Sequence, residues 1–588
     1  MEVHMNTVAH GNTRRAFLKG SAAALAVPLL LTSRQSPAAS LPPSPPPSPP
    51  TIPWQEVLPN AITPLTPVSA LIPAPTAAPN LAAGEAGRAV HQRFRALSGT
   101  PTLYEMTALE NPAWVFNPAY PAQPIWGFTG ATLDATTPGP TLFAHYGCPI
   151  ICRIHNQLLY ERVGFGTPEI TTHLHNLHTP SESDGFPGDF YGPHPDQQGP
   201  TLSAPGEFLD HFYPNILAGY DEFGGMGDPR EALGTLWYHD HTVDFAGPNV
   251  YRGMAGFYLL FDDLDSGDEQ DPNPSALRLP SHPYDYPLIF QDKRFNTDKL
   301  LAFDQFTPEG APGDKVTVNG KIEPVLRVAR RKYRLRLLNG GPTRFYEFYL
   351  VNAGGIAPYT FTYIANDGNL LPTPLIDFKV RLGVAERADI VVDFAHFPLG
   401  TELYLVNRLE QPDNRGPTKV QMPGTRVLKF LVDRQPPAPD MSRVPSLLRP
   451  LRPLNAAEIA AARQRRWVFE CTNGMGAVNG HFFDVFASRA QMPKGSAEVW
   501  ELVNPSGGWS HPIHIHFEEG CILSRAREGS PVPVPAHERG RKDVYVLGPN
   551  ESLKVLLRFR DFTGKYPMHC HNLVHEDHAM MVRWDIVA

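Results

Sequence analysis

Four short stretches place histidines two residues apart: His173-Leu174-His175, His239-Asp240-His241, His514-Ile515-His516 with His511 just ahead, and His569-Cys570-His571. The last belongs to residues 568–581, MHCHNLVHEDHAMM, which hold four histidines, one cysteine and three methionines. Neutral imidazole is a good ligand for copper, zinc or iron. One His-x-His pair is easily satisfied by ordinary hydrogen bonds; four pairs in apolar settings (ITTHLH, LWYHDH, PIHIHF) are hard to satisfy without metal. Alternate side chains of an extended strand share a face, so each pair aims both rings one way, about 7 Å apart.

The same alternation separates two sites. The Cys570 thiol must point away from His569 and His571 and cannot serve the same metal. His514 and His516 share a face, while His511, an odd number of steps away, points opposite and so goes with Cys570. His575, five residues past the cysteine, and Met580, five further on, complete a set of two imidazoles, a thiolate and a thioether. That is the ligand composition of a blue-copper electron-transfer site. The other eight, His173, His175, His239, His241, His514, His516, His569 and His571, ring a second site. Eight nitrogens are too many for one ion and suit three, with room left for oxygen.

Strands must hold these side chains. The chain has 588 residues, 64 prolines and 48 glycines, with 42% hydrophobic and 19% charged residues, which predicts an all-β protein of several domains with many turns. Strand-like segments fall into three units: 85–265, 284–434 (YPLIFQDKRF, KVTVNGK, YRLRLLN, ADIVVDF) and 465–588 (RWVFECTNG, EVWELVN, HPIHIHF, SLKVLLRF). A Pro-rich linker, 435–464, separates the second unit from the third. The net charge of −8, with no basic block outside the N-terminus, argues against nucleic acid or an anionic membrane as partner and favours small-molecule chemistry.

The segments HLHNLHTPSESDG, LWYHDH, HPIHIHF and HCHNLVHEDHAMM match, in order, the four copper-binding segments of the three-domain multicopper oxidases, and the chain resembles that family from about residue 85 onward. Its last segment is most similar to those of bilirubin oxidases and bacterial spore-coat laccases. The resemblance implies three tandem cupredoxin-like Greek-key β-sandwich or barrel domains, the second without copper, and four copper ions. It assigns a type 1 copper to His511, Cys570, His575 and Met580, a type 2 copper to His173 and His514, and a type 3 pair to His175, His239, His241, His516, His569 and His571. It implies one-electron oxidation of a phenol, aromatic amine or bilirubin-like donor, delivered near His511 at the surface, coupled to four-electron reduction of dioxygen to water. Asp184 and Glu576 match family positions that relay protons. A Cu(I) or Mn(II) oxidase is the second enzyme reading, although 12 methionines without a Met-rich insert speak against the cuprous version. A non-catalytic envelope protein of the same fold is the third.

Thr13-Arg14-Arg15 ahead of the apolar run 22–31 resembles a twin-arginine export signal over 1–40, predicting a periplasmic or extracellular protein. The run is too short to remain as a membrane anchor, and a monomer is expected. Residues 41–84 open with LPPSPPPSPP and read as an extended spacer outside any core. Cys148 and Cys152 are expected to be buried thiols about 13 Å apart, too far for a disulfide. Glu518 and Glu519 could line a donor pocket and favour cationic donors. His178 and His578 neighbour the ligand sets without joining them, and Met581 competes with Met580 but falls off the matched offset.

Overall fold

Alternation along six segments decides where every chemical group goes. In the strands Thr172–His175 (β1) and Thr235–Asp240 (β2), Leu174, Leu236 and Tyr238 enter one apolar core, leaving the histidines on the other face. In His511–Ile515 (β4), Val544–Leu547 (β5), Gly564–Cys570 (β6) and Met581–Val587 (β7), the residues Ile513, Ile515, Tyr566, Met568 and Cys570 enter a second core. Between these groups in the chain lies Arg387–Asp393 (β3). The computed structural model describes residues 45–588 apart from 98, 131–133, 161–163, 189–201, 308–309 and 473. The predicted export signal and the first residues of the spacer therefore lie outside the described residues.

Among the described residues the strands form six sheets that pair into three sandwiches. In the first, a sheet built on 102–114 and 150–156 shares its core with the sheet that contains β1 and β2. The second sandwich spans 285–434, with Tyr286, Leu288, Tyr346, Phe348 and Leu403 among its core residues. The third joins a sheet built on 463–472, 496–503 and 551–559 to the sheet of β4 to β7. This is the all-β architecture that the strand-rich pattern predicts, and its paired sheets have the cupredoxin-like form that the resemblance implies. Trp237 from the first sandwich, Ile289, Leu338 and Ala385 from the second and Val544 from the third meet in one apolar cluster. Burying such side chains stabilises a junction by about 1.5–3 kcal/mol each, so the three lobes are locked together.

The segment 45–84 corrects the spacer expectation. Pro46 and Pro49 carbonyls accept from Arg294 and Tyr120, and Ser48 donates from its backbone N–H to Asp314 at 2.7 Å. The strand-edge bonds Leu58 N–H to Val325 O and Leu65 N–H to Thr141 O pin the chain first to the second sandwich and then to the first. Leu58, Leu65 and Leu71 are buried in three different apolar clusters. The proline composition does make the chain extended, but every few residues it supplies an apolar side chain, and extended backbone adds readily to a sheet edge. Residues 45–84 are a strap. The linker likewise packs down: Leu448 is buried, and Asp440 pairs with Arg331 at 2.9 Å.

Candidate metal centre

Register brings the histidines together in pairs. His173 lies directly opposite His239 across β1 and β2, and His514 lies opposite His569 across β4 and β6. Directly opposed residues share a sheet face, so each sheet presents a patch of imidazoles. The two patches meet between the first and third sandwiches, where all eight predicted rings converge. His173 stacks on His516 with centroids 3.9 Å apart, and His175 on His514 at 3.7 Å. His239 and His571 are 5.2 Å apart, and His241 and His569 4.7 Å.

Within the cluster the nitrogens face one another. His514 Nε2 lies 3.4 Å from His173 Nε2, and His569 Nε2 lies 3.1 Å from His241 Nε2 and 3.2 Å from His516 Nε2. The ring nitrogens of His571 and Nε2 of His239 are buried without a protein hydrogen-bond partner. Each buried, unsatisfied polar atom costs about 1–3 kcal/mol, so this arrangement is built for something that accepts lone pairs. Burial lowers the pKa of every ring in the cluster, those of His239 and His569 to about 3. Neutral imidazoles are metal-ligating imidazoles.

The second site is inside the third sandwich. The Cys570 sulfur lies 3.5 Å from His511 Nδ1 and 3.6 Å from His575 Nδ1. Cys570 and Met580 are buried in the same core cluster, where Met581 is absent. Met581 instead pairs with His569 across the sheet. His575 sits on the short helix Leu573–Asp577 (α1), whose N-cap Asn572 accepts from the His575 N–H. Gly476 lies against Met580 so closely that a Cβ there would fall 2.5 Å from the methionine Cβ. Burial raises the Cys570 thiol well above its ordinary pKa, so a thiolate here requires a cation beside it.

Carboxylates brace the outer nitrogens. Asp184 Oδ2 accepts from His516 Nδ1 at 2.8 Å, and Glu576 Oε2 lies 2.9 Å from His569 Nδ1. Burial raises both carboxyls well above their ordinary values. Sequence reasoning missed a third, Asp543, whose Oδ2 lies 2.5 Å from His175 Nε2 and 3.2 Å from His514 Nδ1. It lies in a bend just ahead of β5, at no fixed spacing to any histidine motif. Trp509 was missed as well: its half-exposed ring parallels His511 at 6.5 Å, meets His575 edge-on at 4.9 Å and carries the Arg415 guanidinium at 5.4 Å.

Several expectations are corrected. His511 is 1% exposed, not a surface residue, because Trp509 and the 411–417 loop cover that side; Ser510 N–H donates to Arg415 O there. Glu518 and Glu519 line no donor pocket: both are buried, Glu518 against Arg560 at 3.1 Å and Glu519 against Arg541 at 3.3 Å. Cys148 is exposed in a turn, whereas Cys152 is buried as expected. His178 stays outside the cluster, bonded to Asp561 at 2.7 Å, as does His578, bonded to the Val574 carbonyl. Among the described residues no helix is long and apolar enough to cross a membrane.

Residues 449–587 match the family model for multicopper oxidases. The chain is 32% identical to bilirubin oxidase of Albifimbria verrucaria over 457 residues, covering 77% of this chain and 72% of that one. It is 29% identical to a laccase of Bacillus stratosphericus, covering 83% and 95%. A solved variant of the multicopper oxidase McoA from Aquifex aeolicus superposes with a TM-score of 0.67 at 24% identity, over 84% of this chain and 97% of that one. Likeness of that depth to a relative over most of both chains, on a scaffold of the same fold, means that this chain belongs to the multicopper oxidases, a family of copper-dependent oxidoreductases.

Proposed function

We propose that the protein is a laccase-like oxidase that couples one-electron oxidation of phenols, aromatic amines or bilirubin-like pigments to reduction of dioxygen to two waters. His511, Cys570, His575 and Met580 would hold a type 1 copper, and His173 and His514 a type 2 copper. His175, His239, His241, His516, His569 and His571 would hold a type 3 pair. The donor set fits: a buried sulfur against two imidazole nitrogens, and a group of neutral imidazoles with orphaned nitrogens. Copper held by these residues would supply one-electron chemistry at the first site and four-electron reduction of dioxygen at the second.

The observation that carries this reading is the division at residue 570. Its sulfur faces His511 and His575 inside the third sandwich, while His569 joins the cluster on the opposite face. One backbone segment thus joins a one-electron site to a four-electron site. Trp509 stands between solvent and both imidazoles, so a donor would stack on it rather than touch His511. Arg415 packs its guanidinium over the indole and braces that ring. Asp184 Oδ2 and Glu576 Oε2 would fix the tautomers of His516 and His569, and the same carboxyls would hold protons on their other oxygens, Oδ1 and Oε1, for the four that water formation consumes. The twin-arginine motif at 14–15 supports export as a folded, metal-loaded protein, and we take the mature chain to be an unanchored monomer.

The test is a purified, copper-reconstituted preparation offered phenol, amine, bilirubin, Cu(I) and Mn(II) donors in turn, with oxygen uptake and bound copper measured. A blue protein with four copper ions and aromatic-donor turnover is expected. Turnover confined to Cu(I) or Mn(II) would establish the metal-oxidase reading instead, and a colourless, inert protein would support the envelope role.

A further inference from the structure

We propose that Arg387, supplied by the second sandwich, is a positioning residue for the histidine cluster, holding the Asp543 carboxylate in the orientation that seats His514 and His175. The inference rests on the copper reading above and assigns a chemical task to the one lobe that contributes no predicted ligand.

Arg387 opens β3 and is 0% exposed. Its Nη1 donates to Asp543 Oδ2 at 3.1 Å, and its Nη2 lies 2.9 Å from Oδ1, so the guanidinium meets the carboxylate along its whole edge. The same side chain donates to the carbonyls of Ala385 at 2.9 Å and Thr235 at 3.3 Å. Thr235 begins β2, the strand that carries His239. Arg387 therefore touches all three sandwiches from one position. Its backbone N–H is fixed by Asp367 Oδ1 at 3.0 Å, and Asp367 Oδ2 in turn holds Lys542 Nζ at 2.7 Å, next to Asp543 in sequence. Lys542, Asp367, Arg387 and Asp543 thus form a buried run of alternating charge. Such a run is tolerable only because each member has an opposite neighbour, and removing one strands the others.

The far side of Asp543 faces the cluster. His514 Nδ1 lies 3.1 Å from the Asp543 carbonyl oxygen and 3.2 Å from Oδ2, which leaves His514 Nε2 aimed at His173. A proton on Nδ1 keeps the Nε2 lone pair free for metal, and the partner that fixes it tunes the site. Asp543 can do this only while its carboxylate is held in that orientation. A planar guanidinium facing both oxygens fixes it, and the flexible ammonium of lysine does not.

The experiment compares the copper-loaded full chain with Arg387→Met and Arg387→Lys, reading bound copper per chain, the type 2 electron paramagnetic resonance spectrum, the blue absorption of the Cys570 site and oxygen turnover. Arg387→Met is expected to keep the blue absorption while its type 2 signal shifts or is lost, with oxygen turnover down about 10–100-fold. Arg387→Lys is expected to recover part of both and, should the methionine variant not fold, to show the same spectral shift in weaker form. A type 2 spectrum and copper content identical to the parent in the folded variants would overturn the proposal. So would parallel loss of the blue and type 2 signals, the mark of a merely structural role. A parent protein with neither colour nor copper would remove the copper reading itself, and this proposal with it.

Discussion

Gly476 offers a direct test of the Cys570 site. A Cβ at 476 would lie 2.5 Å from Met580 Cβ, 3.1 Å from Met580 N and 3.2 Å from His575 O. Real Cβ atoms essentially never approach within 3.0 Å of another heavy atom. Two of the three obstructing atoms are backbone, so no flexible side-chain end can yield; the turn from His575 to Met580 must move. Overfilling a close-packed core in this way costs about 1–3 kcal/mol, and each kcal/mol shifts Tm by roughly 2–8 °C depending on the size of the unit that melts. Gly476→Ala should therefore lower the transition of the third sandwich by several degrees and displace the blue absorption, because the Met580 thioether moves with the turn. Gly508→Ala is the matched control: a Cβ there meets nothing within 4 Å, and the change should stay within about 0.5 kcal/mol. Differential scanning calorimetry and visible spectroscopy on both copper-loaded variants decide it. A Gly476→Ala protein indistinguishable from the Gly508→Ala control in both measurements would refute the reasoning.

Met580→Leu should raise the reduction potential of the proposed blue site, since a weak sulfur donor would be lost; an unchanged redox titration would remove Met580 from the donor set. Trp509→Ala should lower kcat/KM for aromatic donors about 10-fold or more with blue absorption intact, as steady-state kinetics would show. Asp184→Asn and Glu576→Gln should each slow oxygen reduction about 10²–10⁴-fold while leaving reduction of the blue site by donor unaffected, as stopped-flow half-reactions would resolve. Glu231 is buried, which alone would raise its pKa, but Arg541 and Arg560 outweigh burial and hold it at about 2, below its ordinary 4.5. Its stabilisation is thus complete above pH 4.5 and is lost as pH falls toward 2, on the order of 3 kcal/mol. Acid titration of unfolding should show a shallower limb in Glu231→Gln across that window.

Much of the candidate centre was legible because strand parity is a local property. Whether Cys570 and its flanking histidines face apart follows from consecutive positions, and so does the split of His511 from His514 and His516. What parity cannot supply is the identity of groups arriving from elsewhere in the chain. Asp543 is 29 residues from His514, and Arg387 is 156 residues from Asp543, and neither carries a spacing that marks it. Glu518 and Glu519 looked solvent-facing because acidic residues usually are; their burial depends on Arg560 and Arg541, which only folding brings near. Trp509 adjoins a ligand, yet an aromatic beside a histidine is commonplace until its ring plane is known. The strap was misread for a different reason: proline density reports backbone extension correctly and says nothing about the leucines between.

Those leucines have a consequence for the order in which the molecule assembles. Ser48 meets Asp314 across a separation of 266 residues, and Leu58 and Leu65 enter cores that do not exist until two lobes have closed. The part of this segment made earliest is therefore seated latest, as a latch across finished parts. Latches of this kind open before their lobes do. Hydrogen exchange and proteolysis should begin at residues 45–84, well short of global unfolding, and a chain with its latch closed is one whose first two lobes are already built.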